Sequence, residues 1–472
     1  MQISKYIVVI LITTILVGCA VQHYQPAPIS TTENAQSLSL RSLQDNGLRA
    51  FLQDKLPANT REWPLRKWSL PELTLAAFYY NPSLQIARDQ VAEADAGIIT
   101  ARARPNPMIE GHLGGETAPE SPWIVGAGFS LPIETAGKRR YRITEAQQLA
   151  DAARWNLAST GWAVRAQLRR ALLEYLAANR SLQLLEEEER LRAEQVHLLE
   201  QRLAVGMIPR PEVDTGRIQQ TQTLLAVQSA EGRILQARAS LAAAIGVPVS
   251  ALNGVSISWP NLDQPPSPES VKPAQIQEDA VLNRIDIRRA LANYSVIDAA
   301  LRLEIALQYP NIDLGPNYAF EEGSHLFSIA VSSVLPVVNR NQGPIAEAVA
   351  LRRQAADQVL VVQAAGIASG EQALAKYTAA LNQLAETRRL MQQSLALQES
   401  ENQSFKAGQS DRVALNGTQL QTAVTRIAEL DALVTAQQAL GDLESAVQKP
   451  LLPGDIQPLS PQGSALETPK GK

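Results

Sequence analysis

Two proline-free stretches, each long enough for a helix of some 60 residues, constrain this chain more than any other feature. The first runs from Arg140 to Leu203 and the second ends at Phe405. At about 1.5 Å of rise per residue, Arg140 and Leu203 stand roughly 95 Å apart, farther than any globular core extends. The two stretches sit in matching surroundings, displaced by about 200 residues. Each is preceded by a helical segment, Pro71 to Arg104 and Pro273 to Tyr309, that stops at a Pro-Asn pair, Pro105-Asn106 and Pro310-Asn311. A strand-like hairpin follows, closing on Ser130-Leu-Pro-Ile133 in one half and Val334-Leu-Pro-Val337 in the other. Each long helix ends at a glycine turn, Gly206 or Gly408, and a return helix then reaches Ile245 or Val447. Landmarks repeated in the same order indicate an internal duplication.

The helical stretches are amphipathic at coiled-coil spacing. Leu172, Leu173, Leu176, Leu182, Leu185, Leu191 and Leu198 recur mostly at three or four, and Glu186 to Arg190 form a solvated charge run. The return helix carries Ile218, Leu225, Leu235, Ala239 and Leu241 with many alanines between, a composition that lets helices pack closely side by side. A net charge of −4 without a Lys/Arg block argues against nucleic acid as a partner. After the N-terminus no run of about 18 apolar residues occurs, so any membrane span must be built from strands. The segment Val247 to Pro273 holds Pro248, Pro260, Pro265, Pro266 and Pro268 and cannot be regular helix. Residues 20–63 read as polar and irregular, an outer belt around the helices together with the linker and the tail.

Four segments alternate between two kinds of face. In 123–133, Trp123, Val125, Ala127, Phe129, Leu131 and Ile133 oppose Gly126, Gly128 and Ser130. Segment 312–320 sets Ile312, Leu314, Pro316, Tyr318 and Phe320 against Asp313, Gly315, Asn317 and Ala319. Segment 325–335 alternates Phe327, Ile329, Val331 and Leu335 with Ser328, Ala330 and Ser332; segment 108–116 does so more weakly. Strands of this length with one apolar and one polar or small face fit a membrane barrel with an aqueous lumen. Four strands leave two open edges, which lipid cannot satisfy, and the smallest lipid-spanning barrels have about eight strands. Several copies must therefore share one barrel, as a dimer, a trimer or a larger ring.

The N-terminus has a basic residue, Lys5, a short apolar run to Val17, and then Gly18-Cys19. This pattern reads as a lipoprotein signal peptide, with Cys19 as the lipidated residue and outer-membrane lipid as its partner. Ala20, rather than Asp, follows the cysteine, a pattern that sorts lipoproteins to the outer membrane. Cys19 is the only cysteine, so no internal disulfide is possible. The landmarks divide the chain into a signal peptide (1–18), an N-terminal anchor and belt segment (19–70), a first repeat (71–246), a Pro-rich linker (247–272), a second repeat (273–447) and a Pro-rich tail (448–472).

With Asn81-Pro-Ser-Leu84, the two Leu-Pro strand ends, the Gly206 and Gly408 hairpins and Leu241-Ala-Ala-Ala-Ile-Gly-Val-Pro248, residues 70–447 resemble the TolC-like outer-membrane factor family. The stretches 131–140 and 335–343 are most similar to its heavy-metal (cobalt–zinc–cadmium) resistance branch. The resemblance implies a mainly α fold with a small β part: long coiled-coil hairpins plus four strands per chain. It implies a homotrimer with one 12-stranded outer-membrane barrel and a 12-helix periplasmic tunnel, working with a periplasmic adaptor and an RND-type inner-membrane transporter. The adaptor would meet the tips, Val205, Gly206 and Met207 in one hairpin and Ala407, Gly408 and Gln409 in the other. Family members often close the tunnel with aspartates six and nine residues after the second glycine; here those positions are Ala414 and Gly417. Glu212, Asp214, Asp411 and Arg412 are the nearby candidates for a substitute ion-pair gate.

No catalytic constellation stands out: there is no nucleophile elbow, Walker loop or zinc signature, and no cofactor beyond the lipid is expected. His23, His112, His197 and His325 lack ligand spacing, so no metal site is expected either. The expected role is a passive exit duct for metal cations or small toxic compounds. A type I protein-secretion channel and a non-spanning periplasmic coiled-coil lipoprotein stand as alternatives.

Overall fold

The computed structural model describes residues 23–56, 63–115, 123–267, 284–321, 323–452 and 455–456. Two long helices dominate it. α5 (Lys138–Ala204) has 67 residues and α8 (Gln342–Lys406) has 65, so each is roughly 100 Å long. Each starts from a left-handed residue, Gly137 at φ 72° and Asn341 at φ 60°, which turns the chain out of the preceding strand. The return helices α6 (Arg210–Ile245) and α9 (Arg412–Val447) both have 36 residues and both end on left-handed caps, Gly246 and Gln448. A β-carbon at Gly246 would lie 2.9 Å from the Tyr80 carbonyl oxygen, so close approach as well as φ requires glycine there.

The repeats interleave. α5 packs against α6 of its own repeat and also against α7 (Ile285–Ala306) and α9 of the other, while α8 packs against α7 and α9. In α8 the buried small residues Gly366, Ala373 and Ala380, and the larger Tyr377, Leu384 and Met391, step by seven, the period of a coiled-coil seam. The charge run at Glu186 to Arg190 is not simply solvated: Glu187 pairs with Arg426 of α9 at 3.0 Å, and Glu188 is buried.

The helical segment expected over Pro71 to Arg104 is two helices, α3 (Leu70–Tyr80) and α4 (Pro82–Arg102). Pro82 has no N–H and pushes Asn81 into extended backbone, ending α3 and starting α4. The Asn81 side chain then caps Ser83 and donates to the Ala244 carbonyl. The stretch read as irregular, 20–63, also contains helix. α1 (Thr31–Ser39), capped by Ser30, belongs to a separate unit that ends at Arg41 and buries no side chain. α2 (Asn46–Lys55), capped by Asp45, buries Leu48, Phe51 and Leu52 in the core. Caps at both starts, missed among polar residues, account for the difference. In the second repeat the helix is described from Ile285; the expected start at Pro273 lies outside the described residues.

One apolar core girdles the helices at mid-length. It joins α2, α3, residues 164–173 of α5, the end of α6, Leu252 and Trp259 of the linker, residues 373–384 of α8 and residues 432–447 of α9. The linker enters it as a short 3-10 turn and as β4 (Ser256–Ile257), which pairs in parallel with β1 (Lys67–Trp68). At one end of the helices stands an antiparallel sheet of β2 (Met108–Gly115), β3 (Trp123–Ile133), β5 (Ile312–Glu321) and β6 (Ser324–Ser333), in the order β2-β3-β5-β6.

Candidate channel wall and helical tips

Strand register puts the alternating faces together. Ile109, Phe129, Pro316 and Ile329 share one level of one face, through the pairs Ile109–Phe129 and Pro316–Ile329. Leu113–Val125, Val125–Phe320, Leu131–Leu314 and Leu314–Val331 continue that apolar face. The opposite face carries Glu110, His112, Gly126, Gly128, Asp313, Asn317, Ser328 and Ser332. None of the four strands contains Lys or Arg, and their carboxylates, Glu110, Asp313 and Glu321, all lie on the polar face.

Among the described residues nothing covers the apolar face: Ile109 is 84% exposed, Phe327 80% and Ile329 75%. A soluble hairpin resting on helices would bury those side chains, since each large apolar residue gains about 1.5–3 kcal/mol by leaving water. At its far end the face turns aromatic. Tyr318 packs on Phe327, its hydroxyl lies 2.8 Å from His325 Nδ1, and Phe320 packs against the same imidazole. β3 and β5 meet tightly at Gly315, where a β-carbon would lie 1.6 Å from the Phe129 carbonyl oxygen. Both edges, β2 and β6, are unpaired among the described residues.

At the other end of the helices, Gly206 (φ 76°) and Gly408 (φ 73°) are both left-handed, with open space where a β-carbon would be. The turns satisfy the helix ends alike: Gly206 N–H donates to Leu203 and Met207 N–H to Arg202, while Gly408 donates to Phe405 and Gln409 to Ser404. Val205 and Met207 are exposed, Met207 by 76%. Ala407 caps α8 and donates to the Gln403 carbonyl.

The four gate candidates divide. Asp411 caps α9 by accepting from Ala414 N–H and pairs with Arg202 of α5. The Ala414 N–H, then Arg202, hold its carboxyl below the ordinary value. Arg412 reaches Glu194 of α5 at 2.5 Å and lies over the Phe405 ring. Thus Asp411 and Arg412 tie the second hairpin to the first within one chain. Asp214 instead faces Arg210 and Arg217, both 3.9 Å away on its own helix. Glu212 sits in the first turn of α6 without an ion pair among the described residues. Gly417 lines open space. Cys19 lies outside the described residues, and no group of three potential metal ligands occurs among those described. No described helix is long and apolar enough to cross a membrane, which leaves a strand-built span untouched.

A buried polar network in the girdle escaped the sequence reading. Arg165 contacts Glu444 at 3.0 Å and Asp455 at 2.6 Å, and Arg169 donates to the Gln437 carbonyl and lies over Trp259. Tyr377 OH and Gln437 Nε2 donate to the linker carbonyls of Pro266 and Leu262. Its signal was present: Arg165 and Arg169 interrupt the apolar run Val164 to Leu173, and Glu444 interrupts Leu440 to Val447.

Residues 66–247 match the family model Outer membrane efflux protein. Over 283 residues the chain is 26% identical to the cobalt-zinc-cadmium resistance protein CzcC of Cupriavidus metallidurans, covering 59% of this chain and 66% of that protein. Solved structures share the fold. CusC superposes with a TM-score of 0.62 at 18% identity, over 80% of this chain and 91% of that one. VceC of Vibrio cholerae gives 0.65 at 16% identity, over 80% and 96%. The open-state MtrE channel of Neisseria gonorrhoeae gives 0.62 at 19% identity, over 80% and 89%. The first repeat thus matches the outer membrane efflux protein model, and the fold of the chain across both repeats is similar to that of solved outer-membrane efflux channels.

Proposed function

We propose that three copies of this chain form one outer-membrane channel, the passive exit duct of a tripartite efflux pump. The observation that carries this reading is the open sheet. Among the described residues nothing covers its apolar face and nothing pairs with its two edges, a combination that is stable in lipid only when neighbouring copies close the ring. Three times four strands gives the 12-stranded barrel expected of the family, and the long helices continue it as a periplasmic tunnel. The tips Val205–Met207 and Ala407–Gln409 then meet a periplasmic adaptor, which couples the duct to an RND-type inner-membrane transporter. Acylation of Cys19 anchors the N-terminus to the same membrane.

For cargo we infer metal cations. The likeness to a cobalt-zinc-cadmium resistance protein supports this, as does a polar sheet face with three carboxylates and no Lys or Arg. In this reading the subunit is a passive duct, and cargo choice rests upstream. In detergent the protein should run as a heat-resistant trimer, and in planar bilayers it should conduct. A monomer that releases into the periplasm and never conducts would refute the channel and favour a structural coiled-coil lipoprotein.

A further inference from the structure

Midway along α5, four cations converge from two long helices onto one cavity. It has a volume of about 250 Å3 and is lined by Arg165, Arg169 and Arg170 of α5, Lys376 of α8, and Asp442 and Ser445 of α9. The Arg165 and Arg169 side chains are almost wholly buried. Their carboxylate partners, Glu444 and Asp455, lie behind them and not in the lining. On the open side Lys376 pairs with Asp442 at 2.6 Å, and Arg170 has no ion-pair partner among the described residues. Among the described residues that line the cavity, four cations stand beside one carboxylate, Asp442. Burial holds Arg169 below its ordinary value; Glu444 and Asp455 oppose the shift and the neighbouring Arg165 adds to it. Arg169 Nε makes no hydrogen bond, although Glu444 Oε2 lies 3.3 Å away. A β-carbon at position 441 would lie 2.4 Å from Arg169 Nη1, so Gly441 is what lets that guanidinium lie against α9 beside the cavity.

We propose that this cavity binds a small oxyanion of the phosphate or sulfate class. Guanidinium groups present planar, paired donors that match oxyanion geometry, and they hold such ligands most strongly where water is scarce. At ~30 Å3 per water, the volume holds on the order of eight waters, enough for one oxyanion and part of its shell. Bound there, the anion offsets the positive charge of this lining and links α5 of the first repeat to α8 and α9 of the second. This site does not depend on the channel reading.

The test is calorimetric titration of inorganic phosphate, then sulfate, into the full-length protein in detergent, with thermal unfolding in parallel. One saturable site per chain and a higher unfolding temperature with anion are expected. Arg170→Gln and Lys376→Gln, both at the exposed rim, should each weaken binding about tenfold or more, while Arg170→Lys, which keeps the charge but not the paired donors, should fall between Arg170→Gln and the parent. Their unfolding temperatures without anion should match the parent, separating lost binding from lost fold. The proposal is overturned if neither anion binds saturably, or if both Gln variants bind as tightly as the parent.

Discussion

At the residue scale, the strongest demands fall on single positions where geometry leaves one choice. Gly206 and Gly408 turn the helix ends at positive φ, where a β-branched residue costs roughly 1 kcal/mol or more. Because open space surrounds both, Gly206→Val with Gly408→Val should distort only the tips. Trimers should persist while adaptor cross-linking and metal resistance fall; loss of the trimer would instead make these glycines part of the fold's support. Asp411 carries a pH dependence. Its carboxyl is held low chiefly by the Ala414 N–H and then by Arg202, so its contribution is present above the unfolded value of 3.8 and lost as pH falls through the lower folded value. The tie between α9 and α5 should therefore loosen on acidification below that range, and Asp411→Asn should loosen it at neutral pH. Spin-label distances between the two tips measure both, and an unchanged distance at low pH and in the variant would discard the tie. In the girdle, Glu444→Ala strands Arg165 and Arg169 with Asp455 as the remaining carboxylate. Breaking a buried pair costs about 3–5 kcal/mol, so a marked drop in unfolding temperature is expected.

At the scale of elements, the sheet makes a directional prediction. Arg at Ile329, on the apolar face, should cost about 2–4 kcal/mol if it lies near the bilayer midplane, while Arg at Ser332 should chiefly change conductance. Ser332 is a cleaner polar-face probe than Gly128, whose added β-carbon would sit 2.7 Å from Asn317 Oδ1. Equal losses on both faces, scored by folded trimer yield, would mean the faces are assigned wrongly. These faces were legible in the sequence because alternation has a period of two and needs no partner to be seen. The long helices were legible because proline was absent, and the tips because glycine followed each run. The break at Asn81-Pro82 is masked in the sequence because apolar periodicity continues across it, although proline chemistry alone specifies it. The girdle network was not legible as a network. Arg165 and Glu444 are 279 residues apart, and only the interleaving of the two repeats brings them together.

At the scale of the whole molecule, one chain is an incomplete object: a girdle that holds two repeats as a unit, and a sheet with two open edges. Stability of the sheet should therefore depend on protomer concentration in detergent, while the girdle survives in isolated chains. Mass spectrometry of the mature N-terminus is expected to find an acylated Cys19, and an unmodified terminus elsewhere would remove the lipid anchor from this account. Cys19→Ala should weaken anchoring yet leave the barrel inserted. The central claim is that β6 of one copy closes against β2 of the next. Cys19 is the only native cysteine, so engineered pairs report cleanly. With Gly111→Cys fixed in β2 and each β6 residue from Leu326 to Val331 replaced by cysteine in turn, oxidised membranes are run without reductant. A covalent trimer at one strand register, with its neighbours unlinked, is the predicted result; monomers at every position would contradict the shared barrel.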